Sequence, residues 1–283
     1  MSLPDASASP SAGSRPPARR PAEIVEVVEV QHLTPRLVSV RVGGTDLSRF
    51  ASVAPTSHIK VMIPPPGQRE PALPRETAEG RTWPEGVDRP EVRTYTPRAY
   101  DPETGLLEIQ FVVHEDGPAS SWAAAAKPGD RIGLRGPGGR FAFPESPRRW
   151  WLAGDESALP AIAQLLEALP DDTDVEAHIE VESDADEIPL EAPSGATVVW
   201  HHRTPHTAWS GTLLAALDER LAAGEGTSAD ALGRMFWVAC EAGAVRDARA
   251  RMLAAGVCRD EMITRGYWRL GERNHPDHDY GED

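Results

Sequence analysis

Arg149-Trp150-Trp151-Leu152-Ala153-Gly154-Asp155-Glu156-Ser157-Ala158-Leu159-Pro160 is where the grammar of the chain changes. Trp150–Gly154 reads as a short apolar strand. Leu159–Leu169 then has helical spacing and closes at Pro170. The same alternation continues, with strands at Val175–Val181, Thr197–His201 and Met235–Cys240 and helices at Leu213–Ala223 and Ala244–Ala255, the last stopped by Gly256. Strands and helices alternating at these lengths predict parallel βαβ units, here an α/β domain over 148–271.

Upstream the signals are of strands alone. Ile24, Val25, Val27, Val28 and Val30 are interrupted by Glu26 and Glu29. Leu37–Val42 follows a Thr34-Pro35 turn, and His58–Ile63 stops at Pro64-Pro65-Pro66-Gly67. Val92–Tyr100 and Gly105–His114 flank the turn Asp101-Pro102-Glu103-Thr104-Gly105, and Arg131–Arg135 ends at Gly136-Pro137-Gly138-Gly139. One helical insert, Ser120–Ala126, accompanies them. Such short strands predict a small antiparallel β-barrel of Greek-key type over 23–147. Residues 64–91 are a Pro- and Gly-rich excursion. Residues 1–22 read as a disordered tail and 272–283 as a polar C-terminal tail.

The 283 residues carry 29 Lys+Arg against 44 Asp+Glu, a formal charge of −15. A nucleic-acid binder needs a basic face, so that class is excluded. No apolar run of about 18 residues is present, so no membrane span is expected. Cys240 and Cys258 are too few for a disulfide framework, and the first residues lack a secretory core, so a cytoplasmic protein is expected. The charge is concentrated: from Trp150 to His202 there are 13 acids and no Lys or Arg, leaving only −2 for the rest.

The sharpest local feature is Arg93-Thr94-Tyr95-Thr96-Pro97-Arg98. On a regular strand Arg93, Tyr95 and Pro97 share one face and Thr94, Thr96 and Arg98 the other. A flavin nucleotide asks for a cation at its pyrophosphate, a flat partner for its rings and a small hydrogen-bonding group near N5, and Arg, Tyr and Thr supply these. An exposed strand with ordinary charges reads the same way. Farther on, His114-Glu115-Asp116-Gly117-Pro118-Ala119-Ser120-Ser121-Trp122-Ala123 ends a strand and starts a helix, which makes either an anion site at free N–H groups or a plain N-cap.

These two stretches resemble the siderophore-interacting proteins, also called ferric-siderophore reductases. Gly154–Pro160, Trp237-Val238-Ala239-Cys240-Glu241-Ala242 and Gly266-Tyr267-Trp268-Arg269-Leu270-Gly271 extend the resemblance in order over about residues 24–271. That family is similar to ferredoxin reductases, with an FAD-binding barrel followed by an NAD(P)H-binding domain. The resemblance implies flavin contacts for Arg93, Tyr95 and Thr96, with Thr96 near N5. It implies further FAD contacts for His114, Gly117, Ala119 and Ser120. Gly154, Asp155, Glu156 and Ser157 match the first turn of the reductant domain, with NADH or NADPH as donor. Gly-x-Gly-x-x-Gly is absent, so a standard Rossmann dehydrogenase is not expected.

Cys240 stands where the family carries Gly, and related ferredoxin reductases place a cysteine near the nicotinamide. It is therefore either a catalytic neighbour or a small buried residue. Lys60, Arg98 and Arg269 are candidates for an anionic ferric siderophore, with solvated surface charges as the alternative. His201-His202 with His206, and His275 with His278, lack a ligand frame, so no metal site is expected. The resemblance leads to an FAD-dependent ferric-siderophore reductase, a monomer, with a ferredoxin as an alternative donor. A general flavin-dependent reductase and a non-catalytic siderophore-binding module are the rival readings.

Overall fold

The computed structural model describes residues 20–77, 80–114, 117–139, 149–204, 208–223, 234–272 and 278–279. Most of the N-terminal tail, His206, His275 and most of the C-terminal tail lie outside them.

The first unit is a seven-stranded antiparallel sheet. Its strands are β1 (Glu23–His32), β2 (Leu37–Gly43), β3 (His58–Ile63), β6 (Glu91–Tyr95), β7 (Pro97–Asp101), β8 (Leu106–Val112) and β9 (Arg131–Gly138), in the order β6-β3-β9-β1-β2-β8-β7. The excursion between β3 and β6 carries the short hairpin β4 (Arg75–Thr77) and β5 (Gly80–Thr82). Period-two alternation drives the sheet: Val25 and Val27 are buried while Glu26 between them is exposed, and Ile59, Val61, Ile109 and Phe111 fill the same core. Helix α1 (Pro118–Ala125) packs Ala119 and Ala123 into it.

The sequence predicts one strand over Val92–Tyr100. The structure breaks it at Thr96 into β6 and β7, which are the two opposite edges of the sheet. One residue joins the edges, so the sheet must curl until they meet at Thr96. No hydrogen-bonded ladder links β6 to β7 among the described residues. The face alternation expected across 93–98 therefore holds within β6 and is reset beyond Thr96.

The second unit is a sheet in the order β12-β11-β10-β13-β14-β15: β10 (Arg149–Asp155), β11 (Asp174–Val181), β12 (Thr197–His202), β13 (Arg234–Glu241), β14 (Met262–Trp268) and β15 (His278–Asp279). All pairings are parallel except β14 with β15. Helix α2 (Leu159–Ala168) covers one face, and α3 (Gly211–Ala222) with α4 (Ala242–Ala254) the other. β10 is the central strand and six of its seven residues are buried, which its apolar run requires. β14 was not foreseen, because Thr264, Arg265 and Gly266 break its apolar pattern; Thr264 and Arg265 are nevertheless buried. Leu33, Leu37 and Val112 of the first unit join the α2-side core, so the two units share an apolar contact. Among the described residues no helix is long and apolar enough to cross a membrane.

Candidate functional site

Thr96 is buried where the two edges of the first sheet meet. In register, Tyr95 pairs with Ile59, Arg93 with Val61, and Thr94 with Lys60. Directly opposed residues share a face, so Arg93 and Tyr95 stand on the inner side with Ile59 and Val61. Thr94 and Lys60 stand on the outer side. Tyr95 is half-buried with its ring centroid 4.4 Å from that of Phe111, and burial pushes its phenol well above the usual tyrosine range. Arg93 donates through Nη1 to Glu91 Oε2 (2.9 Å) and to the Val92 carbonyl (2.9 Å). Lys60 Nζ donates to the Thr94 hydroxyl, and Lys60 also pairs in register with Arg135 of β9.

The loop before α1 is closed by Ser120, whose hydroxyl accepts from the His114 N–H and donates to the His114 carbonyl, both at 2.7 Å. The His114 ring lies over Gly117, where a Cβ would come within 2.7 Å of it. The Ser120 side chain is thus spent on shaping the loop. What the segment offers a ligand is the first-turn backbone of α1, at Ala119 and Ser120.

The C-terminal edge of the second sheet reverses its winding between β10 and β13, where doubly wound sheets bind dinucleotides. Gly154 pairs with Ala239 across this switch point. Asp155 is buried and accepts from the Ser157 amide (3.0 Å), the Ser157 hydroxyl (2.5 Å) and Trp268 Nε1 (2.7 Å). Burial raises its pKa to about 6, opposed by these hydrogen bonds. Glu156 accepts from the Glu182 N–H and from Arg203, and Arg36 Nε lies 3.3 Å away. Arg203 is held between Glu156, Glu182 (3.1 Å) and the fully buried Glu180 (3.8 Å), with its guanidinium 4.7 Å from the Trp209 ring centre. Trp209 in turn meets Trp268 edge-on. The side chains of Asp155, Glu156 and Ser157 therefore turn inward to build this edge, and Arg203 is committed to carboxylates.

Other expected site residues fall elsewhere. The Cys240 thiol lies on the α3/α4 face beside Trp151, Leu213 and Ala244, essentially inaccessible, and burial pushes its pKa well up. Arg98 forms a two-pronged pair with Glu167 of α2, and Arg269 an exposed pair with Glu272 (3.2 Å). His201 Nε2 is 2.8 Å from His178 Nδ1, and His178 Nε2 is 2.8 Å from Glu176.

This arrangement of a curled antiparallel sheet beside a parallel dinucleotide-type sheet is matched by known proteins. A family model described as "Siderophore-interacting FAD-binding domain" matches residues 26–141, and one described as "Siderophore-interacting protein" matches 147–271. The chain belongs to the siderophore-interacting protein family. It is 32% identical over 259 residues to the ferric vibriobactin reductase ViuB of Vibrio cholerae, covering 90% of this chain and 92% of that protein. The crystal structure of a siderophore utilization protein from T. fusca superposes with TM-score 0.76 at 36% identity, covering 91% and 97% of the two chains. A ferredoxin reductase of carbazole 1,9a-dioxygenase shares the fold alone, with TM-score 0.62 at 21% identity over 85% of this chain and 67% of that one. FAD-binding and NAD(P)H-binding domains are both part of the family's architecture.

The residues present fit such a group. Arg93 is a half-buried cation on the inner face, Thr96 a hydroxyl at the seam, and α1 opens with small residues around Gly117. At the second sheet, Arg36 and Arg203 offset part of the charge of Glu156, Glu180 and Glu182 beside the switch point, which eases the approach of an anionic dinucleotide. The sequence reading missed Gln164, Trp209, Arg36 and the tethering role of Trp268. None has a local signal, since each partner lies on another element.

Proposed function

We propose that this chain is an FAD-dependent ferric-siderophore reductase that takes electrons from NADH or NADPH and delivers them to Fe(III) held in a siderophore. The observation that carries the reading is the buried Thr96 seam, flanked by Arg93 and Tyr95, within the stretch matched by the family's FAD-binding model. When bound, FAD supplies the conversion between a two-electron donor and a one-electron acceptor. Arg93 and the first turn of α1 would hold the pyrophosphate, Tyr95 would border the ring system, and Thr96 would face its N5 edge. The turn 154–157 would receive the nicotinamide dinucleotide through its backbone. Closure of the first sheet into a Greek-key barrel, with a division of the chain near residue 147, belongs to the same reading.

Lys60 is the best-supported substrate contact, because it shares an outer face with Thr94 and Arg135 one strand from the seam. Arg98 and Arg269 are less suited, each being paired with a glutamate. Cys240 reads as a packing residue, since its thiol points into the α3/α4 core. The reading makes the protein a cytoplasmic monomer, with a ferredoxin as the alternative donor.

The test is an anaerobic titration of the yellow protein. NADH or NADPH should bleach the flavin spectrum, and a ferric siderophore with a ferrous chelator should restore it. If the ferric complex reoxidises the flavin no faster than buffer does, the proposed activity is wrong.

A further inference from the structure

One side chain of the second unit grips the first unit directly beside the Thr96 seam. Gln164 lies on α2, and its Nε2 donates to the carbonyls of Pro97 (2.6 Å) and Arg98 (3.1 Å), while its Oε1 accepts from the Thr56 N–H (3.1 Å). An amide has two N–H donors and a carbonyl acceptor, so both ends of the group are engaged. Successive carbonyls of a regular strand point to opposite sides and could not share one donor group. The register of β7 against β8 shifts between Pro97 and Ala99, and this bulge turns both carbonyls toward α2. The bulge and the glutamine therefore form one device.

The helix that carries Gln164 starts at Leu159, immediately after the turn 154–158 at the switch point. From Leu159 to Gln164 is about 7.5 Å along a rigid helix. One turn farther, Glu167 holds Arg98 from the same side of the helix. The distance between the Thr96 seam and the switch-point turn is thus fixed by α2, with Gln164 as the grip closest to Thr96.

We propose that Gln164 is a positioning residue that sets the spacing between the flavin strand and the nicotinamide-binding turn. The proposal rests on the reductase reading above. Gln164 makes and breaks no bond in the reaction; it acts through the backbone at Pro97 and Arg98. A loss of register of about 1 Å between two reacting rings costs on the order of a hundredfold in rate.

The test uses flavin-loaded protein with Gln164→Met, which keeps the side-chain length but loses all three hydrogen bonds. Gln164→Glu, which keeps the acceptor for Thr56 and loses both donors, is the second variant. Tetrahydro-NADPH, a nicotinamide analogue that cannot give up its hydride, reports ring stacking through a long-wavelength charge-transfer band. NADPH bleaching then gives a limiting rate and a half-saturation concentration. Gln164→Met is expected to bind flavin normally, lose most of the band at saturating analogue, and bleach about 10- to 100-fold more slowly with half-saturation changed by less than about threefold. Gln164→Glu is expected to fall in the same direction and decides the matter if the Met variant does not fold. Glu167→Gln, which leaves the Gln164 bonds intact, is expected to keep the band. A full band and wild-type rate in both Gln164 variants would overturn the positioning role while leaving the reductase reading intact. A wild-type flavin that neither nicotinamide bleaches would overturn the positioning role together with the nicotinamide-dependent form of the reductase reading.

Discussion

Gly154→Ala tests the packing that sets the switch-point turn. A Cβ at 154 would lie 2.5 Å from the Ala158 Cβ, 2.8 Å from the Ala239 carbonyl oxygen and 3.0 Å from Ile162 Cδ1. Only the Ile162 tip can move cheaply. Strand β10 is laddered on both sides, to β11 and β13, so its backbone cannot retreat. Carbon atoms pack at about 3.5 Å or more, so the start of α2 must lift by about 1 Å. Overpacking with little room to relax costs about 3 kcal/mol, at the upper end of the usual range. For a chain of 283 residues that corresponds to a fall in Tm of about 5 °C. Calorimetry of the flavin-free protein measures it without involving the chemistry. Ala158→Gly removes the closest clash at the helix N-cap position, where glycine is tolerated, so the double variant should recover part of the loss. A single variant melting within about 2 °C of wild type, or strict additivity in the double variant, would refute the steric argument. Because α2 also carries Gln164, the lifted helix should slow flavin bleaching as well.

Three further outcomes are expected. Arg203→Met leaves the fully buried Glu180 without its guanidinium and Glu156 with Arg36 alone, and should cost about 3–5 kcal/mol in urea unfolding; a loss below about 1 kcal/mol contradicts the buried-pair reading. The folded pKa of Asp155, about 6, lies above its ordinary 3.8, so the folded state holds this proton more tightly. The residue therefore favours folding most below pH 4, loses up to about 3 kcal/mol of that contribution as pH rises through 6, and is flat above about pH 7. The wild-type minus Asp155→Asn stability difference, followed from pH 4 to 7, should show that slope, and a pH-independent difference would exclude it. Cys240→Ser should leave the limiting bleaching rate within about twofold, and a thiol reagent on the folded protein should modify only Cys258, which is exposed; rapid labelling of Cys240 would contradict its burial.

The fold was legible wherever burial and local pattern coincide. The apolar run at Trp150–Gly154 reads as a strand and is one, and the alternation at Val25–Val27 leaves one wet face. The break at Thr96 was not legible, because a strand that crosses from one sheet edge to the other has the same sequence pattern as a continuous one. β14 was hidden for a related reason: Arg265 reads as surface, and only its place in the sheet buries it. At the candidate site, residue types were readable but commitments were not. Arg98 and Ser120 looked available for ligands, yet Arg98 is engaged by Glu167 on another element and Ser120 by the His114 backbone six residues away.

The charge pattern separates the two kinds of information. By itself the sequence determines that nearly all of the net −15 sits in residues 150–202, since charge adds along a chain regardless of shape. It also determines, through its hydrophobic periods, that an antiparallel unit precedes a parallel one. Only the tertiary structure decides that Arg36 from the β1–β2 turn reaches Glu156 and Glu182, that Arg98 reaches Glu167, and that Arg203 and Arg234 are drawn among the acids of β11 and of the turns after β10 and β11. Coulomb energy depends on distance in space and on the surrounding dielectric, neither of which is a property of sequence position. These arginines offset part of the charge of the acidic segment beside the switch point.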